Sequence, residues 1–105
     1  MADPVLVDPG ALSATFAQIT TTPGLGPYTL DKPIRDKLPL SDGYATAAMV
    51  TYHVTDGSGQ VEVDMGIFTT MPDMLTRDTL IVSSTGSFID WPATGQRVVT
   101  PISAG

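Results

Sequence analysis

The chain is 105 residues long, enough for one compact domain with a modest core. Eleven acids, ten of them Asp, oppose five bases; the net charge of −6 argues against an autonomous nucleic-acid binder, which needs a concentrated basic surface. Zero Cys excludes a disulfide framework, a zinc knuckle and a thiol nucleophile. Thr, Val and Ile contribute 15, 9 and 6 residues, whereas Lys and Glu, the usual fillers of exposed helix surface, total three. With Gly and Pro numbering nineteen, this is the composition of an all-β protein rich in turns. Charged residues make up only 15% of the chain, and a weakly charged, Thr-rich exterior fits a surface covered by other protein chains. The first fifteen residues carry Asp3 and Asp8 and no basic n-region, and no apolar run nears a membrane span. Assembly in a cytoplasm, with no membrane partner, is therefore expected.

Residues 1–14 read as an extended N-terminal arm, because Pro4 and Pro9-Gly10 prevent a long helix. Within it, Val5, Leu6 and Val7 are candidates to add a strand to a neighbouring subunit. Residues 15–105 read as a single domain. Thr15 to Thr22 is β-prone, Pro23 to Pro27 breaks the run, and Tyr28-Thr29-Leu30 resumes an extended course. Residues 31–40, punctuated by Pro33 and Pro39, read as an exposed loop. Its Lys32, Arg35 and Lys37 are candidate contacts for an acidic partner surface; the plainer reading is a solvated loop that balances Asp31 and Asp36.

After a turn at Ser41-Asp42-Gly43, residues 46–56 and 59–68 form a hairpin with Gly57-Ser58 as its two-residue turn. That turn opposes Val54 to Val61, Tyr52 to Val63 and Val50 to Met65 on an apolar face. On the polar face it opposes His53 to Glu62 and Thr51 to Asp64. Thr69 to Thr76 reads as loop and Arg77 to Ser83 as a third good strand. Phe88 to Trp91 is a short strand stopped by Pro92, and Gln96 to Ile102 closes the domain. The expected fold is all-β: a small antiparallel β-sandwich or partly open barrel of six to eight short strands, whose edges pair between subunits.

Little in the chain looks like a catalytic array. The single His53 is expected to make a surface pair with Glu62, and no Gly-x-Ser-x-Gly spacing supplies a nucleophile elbow. Gln60, Glu62 and Asp64 alternate as an ordinary polar strand face would, and Asp56 to Gln60 departs from the ligand order of a calcium loop. No catalytic residue, metal ligand or cofactor is assigned. Trp91, beside Asp90, is a core plug or a subunit contact, with sugar stacking as the lesser alternative. Arg77, with Asp78, is expected to anchor a buried or interface group by pairing a carboxylate or loop carbonyls.

Several segments carry a resemblance through their order and spacing. They are Thr20 to Leu30 (TTTPGLGPYTL), Asp42-Gly43, Tyr52-x-Val54-x-Asp56-Gly57-x-Gly59 and Glu62-Val63-x-x-Gly66-x-Phe68. Leu75-Thr76-Arg77-Asp78, Ser83-Ser84-Thr85-Gly86 and Gly95-x-Arg97-Val98-Val99 follow. Together they resemble a small all-β module of tailed-bacteriophage virion proteins, of the tail-fibre, neck-associated or capsid-decoration type. The chain departs from that pattern at Val61, where an aromatic residue is common, and at Asp64, where a Gly usually follows the Glu-Val pair. The resemblance implies a non-enzymatic structural protein of the virion, a fibre or fibre-attachment piece at tail or neck. Its partners would be itself, as a trimer, and other virion proteins. A capsid decoration (cement) protein at three-fold positions is the alternative. A carbohydrate-binding module using Trp91 and the polar strand face is a further one.

Overall fold

Runs of β-branched residues broken by Gly and Pro produce seven strands in the computed structural model, which describes residues 15–102. They are β1 (Gln18–Thr20), β2 (Tyr28–Pro33), β3 (Ala48–Thr55), β4 (Val61–Thr69), β5 (Met74–Leu75), β6 (Thr79–Ser83) and β7 (Arg97–Pro101). A 3-10 turn at Leu40–Asp42 lies between β2 and β3. All strand pairs are antiparallel. The order β3-β7-β1-β2-β5-β4 returns to β3 through the β3–β4 hairpin, so six strands close a ring and β6 lies outside it on β4. The fold is all-β, and of the expected alternatives it is a barrel, closed rather than partly open. Residues 1–14, with the candidate strand Val5-Leu6-Val7, lie outside the described residues.

Closure depends on β5, two residues within a stretch expected to be loop. Leu75 pairs with Tyr28 of β2 on one side and with Phe68 of β4 on the other. So short a strand has no periodicity to read. β2 also runs further than expected, to Pro33, because Gln18 fastens the segment behind it. The Gln18 side-chain amide donates to Asp31 O at 2.7 Å, and its carbonyl accepts the Leu40 N–H at 2.7 Å. Leu40 is thereby buried at the end of the predicted loop. Phe88 to Trp91 is no strand, although Trp91 forms an isolated bridge with Gly24.

The hairpin forms where expected, but its register differs by one residue. Val54 opposes Glu62, Tyr52 opposes Asp64 and Val50 opposes Gly66. The turn is a five-residue loop rather than two residues, and local hydrogen bonds explain why. Thr55 Oγ1 accepts the Gly57 N–H and donates to Gln60 O, while Asp56 Oδ1 accepts from the N–H and hydroxyl of Ser58. Gly57 and Gly59 supply the positive φ this path needs. The shift exchanges the faces of β4. Glu62, Asp64, Gly66 and Phe68 point into the barrel, and Val61, Val63, Met65 and Ile67 lie half-buried on its outer side. The predicted His53–Glu62 surface pair therefore does not exist; His53 opposes Val63.

The core joins Val50, Tyr52 and Val54 of β3 to Tyr28, Leu30, Phe68, Leu75 and Val99, with Leu40, Tyr44, Ile89 and Trp91 brought in from connecting segments. Tyr28 and Tyr52 meet edge to face at 6.0 Å, a favoured arrangement for aromatic rings. Gly66 permits the chain after β5 to cross β4 closely: a Cβ there would overlap the Thr76 carbonyl. Thr76 Oγ1 uses that proximity to accept the Ile67 N–H at 2.7 Å.

Candidate functional site

The chain's only Glu stands at the centre of a polar cluster inside the barrel. Arg77 lies just before β6 with its side chain 3% exposed. Its Nη2 donates to Glu62 Oε1 at 2.6 Å and Oε2 at 3.0 Å, and its Nε donates to Oε2 at 3.1 Å. The rest of the guanidinium serves loop carbonyls: Nη1 donates to Gly24 and Gly26, and Nη2 also to Ile89. Glu62 Oε1 further accepts the Tyr28 hydroxyl at 3.0 Å and the Ile89 N–H at 3.1 Å. Trp91 Nε1 donates to the Tyr28 oxygen at 2.7 Å, and Arg77 stacks 4.6 Å from the Tyr28 ring centre. Burial pushes the Tyr28 and Tyr52 phenols well above their ordinary value.

These contacts join elements far apart in the chain: the 24–28 turn, β4, the entry to β6 and the 89–91 segment. Fork-shaped bonding to a carboxylate and to carbonyls is a task for Arg, since Lys lacks the planar donor set. Asp64 belongs to the same inward face, and its Oδ2 is 4.0 Å from Arg77 Nε, the outer limit of an ion pair. Arg97 caps a second corner: it donates to Gly95 O and Pro92 O and lies 5.2 Å from the Trp91 ring centre.

Arg77 is thus bound to a carboxylate and loop carbonyls, while Asp78 beside it is exposed. Trp91 is an internal anchor, 2% exposed, and offers no open ring face to a sugar. Glu62 and Asp64, half of the polar strand face invoked for sugar or cation binding, are inside. Trp91 and half of the strand face behind the carbohydrate reading are therefore withdrawn from solvent. Lys32 and Arg35 are exposed, and Arg35 lies 3.9 Å from Asp36, so the loop partly balances itself. Lys37 is half-buried. Among the described residues no group of His, Asp and Glu is placed to hold a metal, and no helix is long and apolar enough to cross a membrane.

Glu62 and Asp64 escaped the sequence reading because alternation alone cannot say which face is inward when a strand is apolar on one side and acidic on the other. One signal was present: a single Glu among ten Asp marks a place where the longer side chain is needed. The barrel's exterior has a feature of another kind. A bulge where β4 passes from Val63 to Asp64 leaves Ile81 unpaired on β6, and Ile81 and Val82 are 50% and 56% exposed. No strand pairs with the outer edge of β6 among the described residues.

Comparison with protein-family models, with curated proteins and with solved structures finds no match.

Proposed function

We infer that this chain is a non-enzymatic structural component of a tailed-phage particle, a fibre or fibre-attachment piece at the tail or neck, assembled as a symmetric homo-oligomer. The observation that carries the assembly reading is the outer edge of β6. Natural edge strands are guarded by Lys, Pro or a cover. This one bears exposed Ile81 and Val82, and no charge occurs between Thr79 and Ile89. The neighbouring outer face of β4 is lined by Val61, Val63, Met65 and Ile67. In a chain of net charge −6, this neutral region is where a second copy approaches without like-charge repulsion. A trimer is the simplest closed form in keeping with the phage resemblance.

Two further supports come from elsewhere. The buried Glu62 carboxylate is saturated by Arg77, the Tyr28 hydroxyl and the Ile89 N–H, so it is not free to act as a base. The virion assignment itself rests on the ordered motifs from Thr20 to Val99. Light scattering of the purified chain should give an oligomer that survives dilution; a stable 11.0 kDa monomer at micromolar concentration defeats the assembly reading. Quantitative gels of particles from cells that make the protein should show a small multiple of the tail's symmetry order. Hundreds of copies would transfer it to capsid decoration, and its absence from particles defeats the virion reading.

A further inference from the structure

The barrel interior places one guanidinium among two carboxyl groups, and the donors around them are already committed. Arg77 Nε and Nη2 serve Glu62, Nη2 also serves Ile89 O, and Nη1 serves the carbonyls of Gly24 and Gly26. The Tyr28 hydroxyl donates to Glu62, and the Tyr52 hydroxyl donates to Thr76 O at 2.7 Å. Asp64 is 0% exposed, and both its carboxyl oxygens lack a hydrogen-bond partner. It is faced by Glu62 from β4, Tyr52 from β3, Tyr28 from β2 and Arg77 from the segment entering β6.

An ionised Asp64 would be a second negative charge against a single cation, with no donor, out of reach of water. A protonated Asp64 is neutral and brings a donor of its own beside the Glu62 carboxylate. We propose that the folded barrel retains a proton on Asp64 through neutral pH, so that its stability is greatest in mild acid and declines towards alkaline solution.

The sign follows from proton counting. Burial first, and then Glu62 beside it, push Asp64 up to about 8, against the opposing pull of Arg77 and Tyr52. In the unfolded chain an Asp titrates near ~3.9. Between those values the folded state holds more protons than the unfolded one, so stability falls as pH rises through this window and is level above it. A salt-bridged Asp gives the opposite slope. This property of the barrel is independent of where the protein is assembled.

Thermal unfolding of the full chain and of Asp64→Asn, which keeps the side chain neutral at every pH, tests the proposal. The Tm of the wild type relative to the variant should fall by about 5 °C or more between mild acid and alkaline solution. Parallel Tm–pH curves would overturn it. A 13C NMR titration of the Asp64 carboxyl in the wild type reads the same proton without any variant. A midpoint above about 7 is expected, against ~3.9 for an ordinary Asp, and any lower midpoint overturns the proposal.

Discussion

Arg77 shows how much of this molecule rests on one side chain. Its guanidinium neutralises Glu62 and holds the carbonyls of Gly24, Gly26 and Ile89, so it binds the 24–26 turn and the 89–91 segment to the barrel wall. Arg77→Ala leaves Glu62 buried without its cation, and the expected loss is about 3–5 kcal/mol of unfolding free energy. Arg77→Lys keeps the charge but not the fork and should fall between the two. Urea denaturation measures both, and an Arg77→Ala chain within ~1 kcal/mol of the wild type would show that the cluster adds little. The residues carrying the phage resemblance include Tyr28, Glu62, Gly66, Phe68, Leu75 and Arg77. All are in or against this interior, so their order along the chain is first a requirement of folding.

At the scale of elements, β4 and β6 have opposite problems. β4 is paired along one edge by β3 and along the other by β6 and β5, and buries a Glu62 that only tertiary contacts can satisfy. Among the described residues β6 is paired on one side only, and it leaves Ile81 and Val82 in solvent. A Lys on such an edge blocks strand addition at little cost to the fold. Val82→Lys should therefore change unfolding free energy by no more than about 0.5 kcal/mol, as an exposed substitution does, while reducing the oligomer to monomers. Sedimentation velocity reads the second effect. An oligomer unchanged by this substitution would remove β6 as the contact.

For the whole molecule, the ring of six strands is complete within the described residues, since β1 starts at Gln18 and the last ring strand ends at Pro101. Closure removes the sheet edges that an open sandwich would leave, with β6 as the exception. Deleting residues 1–14 should then leave Tm within a few degrees of the full chain, while incorporation into particles weakens if the arm adds a strand to its neighbour. Unchanged incorporation would assign the arm no part in assembly.

Much of this fold is legible in the sequence alone. The abundance of Thr, Val and Ile, the near absence of Lys and Glu, and Gly or Pro at each break determine an all-β domain. Cores of β1, β2, β3, β4, β6 and β7 fall within the segments expected for them. These are local properties, set by backbone sterics and turn chemistry within a few residues. What only the tertiary structure decided is which side of β4 faces inward and whether the ring closes. Inward-facing Glu62 is tolerable because Arg77, Tyr28 and Ile89 meet it from segments far along the chain, and closure hangs on two residues of β5. The low charge and strong β character noted at the outset describe the exterior well. The interior holds the chain's one Glu, an Asp and two of its three Arg, because burial of charge is decided by partners and not by composition.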